Sequence, residues 1–162
     1  MAAETREPRI ESRNAMTIAG LQRRFDFKDM DDIPKLWMEL GPYFGKVPAA
    51  VSAAAYGVIS GYRKGVDAID YLAGFEVRGT DLPKAFVRFE IPPLTYAVFE
   101  HKEHVSKIRD TIMSAIDVWL PASGRKRLKP MTGGLQYFER YDEDYDPQVA
   151  IGHIAIWIPI EP

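Results

Sequence analysis

Tyr137-Phe138-Glu139-Arg140-Tyr141, running on into Asp142-Glu143-Asp144-Tyr145-Asp146-Pro147, is the stretch from which both fold and site are read. As a strand its side chains alternate between faces. Tyr137, Glu139 and Tyr141 then share one side, and Gln136, Phe138 and Arg140 the other. A carboxylate between two phenols suits neither an ordinary core nor open solvent; it suits the wall of a ligand pocket. The acidic run that follows lacks the spaced glycine and terminal glutamate of an EF-hand loop, so it reads as a polar loop.

Working outward, the strand Val149–Ile160 places Ile154, Ile156, Ile158 and Ile160 on one face, as under a helix, and Trp157 on the other with Ala155 and Pro159. If Phe138 packs beneath the same helix, Trp157 joins Tyr137, Glu139 and Tyr141 on the side away from it. The helix is supplied upstream by the stripe Val105, Ile108, Ile112, Ala115, Ile116 and Trp119, which Pro121 and Gly124 close. It follows the strand Leu94–His101. The unit is therefore strand–helix–strand–strand.

The first half repeats that order. A strand over Met16–Phe27 leads to a helix over Asp32–Phe44, with the stripe Ile33, Leu36, Trp37, Leu40 and Phe44 and with Pro34 in its first turn. Tyr56–Ile59 and Ala68–Val77 are the next two strands, and Arg9–Arg13 and Ala85–Ile91 are extended. The expected fold class is α+β: a tandem pseudo-two-fold repeat of β-α-β-β units, antiparallel sheets with one long helix each, and a ligand cleft between repeats. Residues 1–8 read as a flexible lead-in and 9–162 as one domain, with repeats over about 9–84 and 85–162. Aligning the repeats puts Leu72, Gly74 and Glu76 on the pocket face, Gly74 leaving room where the second repeat carries the Trp157 ring.

Composition excludes several classes. With 46% hydrophobic residues in 162, the chain can bury a core without staples, and its 27% charged residues fit a folded globule. A net charge of −2 gives no basic face for nucleic acid, and Arg125-Lys126-Arg127-Leu128-Lys129 reads as a solvated loop. There is no cysteine, hence no disulfide and no thiolate chemistry. No apolar run approaches the ~20 residues that span a bilayer, and the polar start does not resemble a signal peptide. A cytoplasmic protein without membrane contact is expected. Phosphate loop, serine elbow and dinucleotide fingerprint are missing, so no cofactor is expected. His101 and His104 with Glu100 and Glu103 sketch a metal site, but they straddle a strand end and a helix start, and His153 is remote; no metal is expected. Trp37 and Trp119 fit helix stripes and read as core.

The combination of Tyr96-Ala97-Val98-Phe99-Glu100-His101, Trp119-Leu120-Pro121-Ala122-Ser123-Gly124, Phe138 to Pro147, Ile156-Trp157-Ile158-Pro159-Ile160 and Tyr71 to Val77 resembles the GyrI-like family. That family is also described as the effector-binding domain of AraC-type bacterial regulators. The resemblance runs from about Arg9 to Pro162. After His101, Lys102-Glu103-His104 replaces the family's common Gly-Pro turn. The resemblance implies tandem β-α-β-β units and binding of lipophilic, cationic or aromatic small molecules, multidrug ligands among them, with a glutamate matching Glu139 as the partner of the cation. It also implies an alternative, a hydrolase opening strained cyclopropane-type cytotoxins, and a further one, an inhibitor or adaptor acting on a protein such as DNA gyrase. The match begins near the first residue, so no helix-turn-helix module and no direct nucleic-acid binding are expected.

The residues support the ligand reading on their own chemistry. A desolvated carboxylate among rings has its charged form disfavoured and its pKa raised, and beside a bound cation it supplies the opposite charge while the rings supply cation–π attraction. Glu139 is the expected anchor, with Tyr137, Tyr141 and Trp157 as stacking walls and Glu76, Gly74 and Leu72 completing the ligand site. In the enzyme alternative Glu139 is the acid or base and Tyr137 donates to the developing oxyanion.

Overall fold

The computed structural model describes residues 7–129, 134–146 and 152–162. Residues 1–6 of the expected lead-in, the turn residues Met131, Thr132 and Gly133, Pro147, and Val149 to Ile151 of the expected last strand lie outside these ranges. In chain order the strands are β1 (Arg9–Arg13), β2 (Met16–Asp26), β3 (Ala55–Ser60), β4 (Ala68–Val77), β5 (Val87–Ile91), β6 (Leu94–His101), β7 (Leu135–Tyr141) and β8 (Ile154–Ile160). Helix α1 (Ile33–Leu40) stands between β2 and β3, and α2 (Ile108–Ser114) and α3 (Leu120–Ser123) between β6 and β7. The fold is α+β. Helices and strands fall where alternation and stripes place them, and β4 and β6 keep the expected bounds.

The helices are less regular than a single stripe suggests. Helix α1 is flanked by 3-10 turns at Phe27–Asp32 and Gly41–Tyr43, the second containing Pro42. Between α2 and α3 the backbone widens into a π turn over Ala115–Trp119, and Pro121 follows directly. Proline has no N–H for the carbonyl four residues back and its ring crowds that carbonyl, so the wide turn is the local response. Gly124 then ends the run at φ 73°, the left-handed conformation suited to glycine.

All strands join one antiparallel sheet in the order β1-β6-β8-β7-β3-β4-β2-β5, where two sheets are expected from the sequence. The join is the β3–β7 pair, in which Gly57 lies opposite Glu139. The order reads alike from either edge. The leading strand of each half crosses to the other: β1 pairs with β6, and β5 with β2.

Two cores result. On the helix-covered face Leu36, Leu40, Ile112 and Trp119 pack over Ala73, Phe75, Phe99, Ile156 and Ile158. On the opposite face Tyr56, Val58, Leu72, Tyr96, Phe138 and Trp157 form a second cluster that no helix covers. Curvature closes it. Arg13 on edge strand β1 reaches Glu76 on β4 at 3.4 Å, although β4 is the sixth strand counted from that edge. A flat sheet, at about 4.8 Å per strand, separates them by about 24 Å. The sheet therefore curls over its uncovered face.

Candidate functional site

The β3–β7 join puts Glu139 at the middle of the sheet on the helix side. Glu139 is 6% exposed, and two phenols converge on it: Tyr71 donates to Oε1 at 2.7 Å and Tyr141 at 3.0 Å. Trp37, from α1, donates its Nε1–H to the Tyr71 hydroxyl at 3.0 Å, so the chain of donors runs from helix to strand to carboxylate. Burial pushes the Glu139 carboxyl up from 4.5 to about 7, although the hydrogen bonds from Tyr71 and Tyr141 pull the other way. The group thus titrates near neutrality. Tyr71 and Tyr141 are raised well above the ordinary phenol range by burial and then by the carboxylate charge, so both remain donors. Tyr137 is raised for the same reasons in the same order.

Rings surround this centre. Trp37 meets Tyr141 edge-on at 5.0 Å between centroids, and Tyr141 meets Tyr145 at 5.0 Å. Gly57 makes the convergence sterically possible. A Cβ there would lie 2.1 Å from the Tyr71 hydroxyl and 2.7 Å from Glu139 Oε1. Tyr71 reaches across β3 only because that strand carries no side chain at this point.

Tyr137, Glu139 and Tyr141 share a face, as their alternation demands. Trp157, Leu72, Gly74 and Glu76 do not join them; they lie on the opposite face. The register explains the correction. Phe138 pairs with Trp157 and Glu139 with Ile156, and directly opposed residues point to the same side. Phe138 is therefore not beneath a helix; it stacks on Trp157 at 5.5 Å between centroids. Gly74 leaves no room for a ligand either, because a Cβ there would lie 2.1 Å from the Ala19 carbonyl oxygen and 2.8 Å from the Gly20 Cα. It is a close-approach glycine between β2 and β4. Leu72 is 1% exposed within the second cluster. Glu76 accepts from Arg13 and from the Tyr56 hydroxyl, each at 3.4 Å.

Three members of the glutamate network are not picked out as site residues from the sequence: Tyr71, Gly57 and Trp37. The available signal is a tyrosine one step out of phase with Leu72, together with a lone glycine inside a short apolar strand. Of the two neighbouring histidines, His104 caps the turn that follows, its Nδ1 accepting from the Ser106 N–H at 3.1 Å. Buried His101 bonds Thr111 Oγ1 at 2.7 Å through Nδ1 and the His104 carbonyl at 2.9 Å through Nε2, tying the end of β6 to α2. Both of its ring nitrogens are engaged by protein. A groove of about 380 Å³ opens on the face opposite Glu139, where Trp157 and Ala155 meet Arg9, Glu100, Lys102 and Arg140. No helix among the described residues is long and apolar enough to cross a membrane.

A curled antiparallel sheet with helices on one face is the architecture expected of the GyrI-like class. The chain belongs to the Cass2 family, integron-associated effector binding proteins, whose family model matches residues 9–160. It is 32% identical over 158 residues to the transcriptional regulator BrlR of Pseudomonas aeruginosa, covering 94% of this chain and 54% of the regulator. The chain thus spans about half the length of that curated relative. Among solved structures it is similar to SAV2435 bound to tetraphenylphosphonium, at TM-score 0.75 and 15% identity, covering 96% of this chain and 94% of that one. It is also similar to the C-terminal domain of EcmrR, at TM-score 0.65 and 14% identity, covering 96% and 97%. A third similar structure is an integron cassette protein from the mobile metagenome of Vibrio cholerae, at TM-score 0.60 and 18% identity, covering 96% of each chain. The likenesses to solved structures place the fold.

Proposed function

We propose that this protein binds lipophilic, cationic aromatic small molecules between its two β-α-β-β halves on the helix side of the sheet, with Glu139 as the charge partner. The observation that carries the reading is the carboxylate itself: 6% exposed, held by Tyr71 and Tyr141, and poised at about 7. No cationic side chain is paired with it among the described residues. A buried carboxylate without a cation is costly, and an arriving organic cation offsets that cost. Trp37, Tyr71, Tyr137, Tyr141 and Tyr145 supply ring faces and edges for the ligand's aromatic groups. SAV2435, bound to tetraphenylphosphonium, supports this ligand class by analogy of fold.

The deciding experiment is calorimetric titration of wild type and Glu139→Gln with tetraphenylphosphonium and with neutral triphenylphosphine oxide. The substitution weakens the cation by at least about tenfold, which is about 1.4 kcal/mol, and leaves the neutral compound within about twofold. Equal losses for both would remove the anchor role.

The raised carboxyl also favours a second reading, hydrolysis of a strained electrophilic ring. A group titrating near 7 accepts a proton from water and returns it to the opened carbon. Mass spectrometry of a cyclopropane-bearing cytotoxin after incubation separates the two readings. A product heavier by one water, formed over many turnovers and lost in Glu139→Gln, supports catalysis; retention of intact compound at one per protein supports binding alone.

A further inference from the structure

Asp142, Asp144 and His153 gather where the chain leaves β7 and where it approaches β8. Along the sequence nine residues separate the imidazole from Asp144, so the acidic run and the histidine read as unrelated. The antiparallel ladder brings them together. Tyr141 lies opposite Ile154, and one step beyond that pair the Asp142 N–H donates to the His153 carbonyl at 2.9 Å. The His153 N–H in turn donates to Asp144 Oδ1 at 3.1 Å. One donor atom from each of the three side chains then lies within 4.8 Å of the other two.

The set is mixed, not merely acidic. An imidazole nitrogen beside two carboxylate oxygens is ligand chemistry for divalent first-row transition ions, whereas Ca²⁺ and Mg²⁺ take oxygen donors. All three side chains are open to solvent, Asp142 at 45%, Asp144 at 53% and His153 at 59%, so an ion reaches them directly. Around an ion at about 2.1 Å, neighbouring donors stand about 3 Å apart, a closing that exposed side chains make by rotation. Asp142 Oδ1 is taken by the Glu143 N–H at 2.8 Å and by Arg140 at 3.6 Å, but Oδ2 has no partner among the described residues. His153 Nδ1–H donates to Asp144 Oδ2. An ion between these two atoms takes the place of that proton, which moves to Nε2, a nitrogen without a partner among the described residues. A separate observation places open space at the cluster: Asp142 and His153 both line the groove of about 380 Å³. An ion held by them borders a cavity, as a site with free coordination positions requires.

We propose that Asp142, Asp144 and His153 form a binding site for a divalent transition-metal ion of the Zn²⁺ kind, open on its groove side to water or a further ligand. The site is separate from the Glu139 centre and on the other face of the sheet. Because its ligands come from both sides of the β7–β8 connection, the bound ion ties the two strand ends together and stabilises the folded chain.

The probe is Zn²⁺ alone, followed by calorimetry and by the imidazole NMR resonances of the three histidines. Expected are one ion per chain with Kd below about 100 µM, and movement of the His153 resonances while those of His101 and His104 stay in place. Affinity falls at least about tenfold in His153→Gln and in Asp144→Asn, and at least about fivefold in Asp142→Asn. It is unchanged in His104→Gln, which removes the other exposed histidine. Ca²⁺ binds at least about tenfold more weakly than Zn²⁺. Zn²⁺ raises the thermal midpoint of wild type and leaves that of His153→Gln where it was. Should a variant fail to fold, the imidazole shifts of the wild-type protein and its preference for Zn²⁺ still decide. The proposal is overturned by absence of saturation, by unmoved His153 resonances, by equal affinity for Ca²⁺, or by a loss in His104→Gln as large as that in His153→Gln.

Discussion

The two faces of the sheet solve the problem of a buried polar group in opposite ways. On the helix side a carboxylate is kept by phenols that donate to it, and no cation of the protein's own is paired with it among the described residues. On the curled side the carboxylate of Glu76 is matched by Arg13, and the indole of Trp157 is already under two guanidinium groups. A charge that the protein pairs itself is held within the fold, whereas one left unpaired in a dry place is the feature on which the proposed ligand role of Glu139 rests. Single glycines on adjoining strands serve different ends, Gly57 admitting the Tyr71 hydroxyl to Glu139 and Gly74 allowing the close approach of β2 to β4.

The largest effect expected from breaking this comparison is at Gly74. Its added Cβ in Gly74→Ala meets the backbone of Ala19 and Gly20, which cannot rotate away, so the loss exceeds about 3 kcal/mol. Urea denaturation or failure to fold will report it, and a loss below about 1 kcal/mol would show that β2 and β4 can separate cheaply.

Next comes the pH dependence of Glu139. An acid with a folded pKa of about 7 against 4.5 unfolded holds more protons when folded, so its contribution is fullest below pH 4.5 and is lost as pH rises through 7. The loss reaches about 3 kcal/mol at one pKa unit per 1.36 kcal/mol. Glu139→Gln, whose amide oxygen still accepts from Tyr71 and Tyr141, is expected to lack this slope and to exceed wild type in stability at pH 8. Denaturant midpoints at pH 5 and pH 8 for both proteins measure it, and parallel profiles would mean that the carboxyl is ordinary. If Glu139 is the proposed charge partner, the same titration is expected to tighten tetraphenylphosphonium binding between pH 5.5 and 8, with proton release below 7.

Gly57→Ala is milder than Gly74→Ala, because its Cβ meets the end of the Tyr71 side chain, which can swing aside. The expected cost is about 2 kcal/mol, together with loss of the Tyr71 hydrogen bond. Proton NMR of the buried hydroxyl, or a carboxyl pKa shifted still higher, reads the second effect; a Gly57→Ala protein with an intact Tyr71–Glu139 bond would refute the cradle. Smallest is Trp37→Phe, which removes one donor to Tyr71 and costs about 1 kcal/mol. Thermal unfolding should find it, and an effect at Tyr71 equal to that of Gly57→Ala would mean that α1 has a larger hold on the network than one hydrogen bond.

How far the sequence carried depended on the range of the interaction. Leu94–His101 and Ala68–Val77 were legible because alternation and flanking turn residues are local signals. Glu139 between Tyr137 and Tyr141 was legible for the same reason. The face shared by Trp157 was not. It depends on the β7–β8 register, and a shift of one residue moves every side chain to the other side. Tyr71 was hidden by distance, since 68 residues separate it from the carboxylate it donates to. Gly57 was hidden because a glycine's purpose lies in the neighbours it admits, and these come from two other strands. The widened helix turn ahead of Pro121 was implicit in the proline, although the stripe alone reads straight through it.

The exchange of leading strands has a kinetic consequence. Strand β1 finds its partner β6 only after about eighty residues have intervened, and β5 must reach back to β2. Each half pairs three of its own strands and lends its leading strand to the edge of the other. Completion of the sheet therefore waits on long-range closures, which slow folding and couple the two halves. A ligand gripping the seam at β3 and β7 would retard unfolding of the entire domain, so its residence time and the lifetime of the native state should lengthen together.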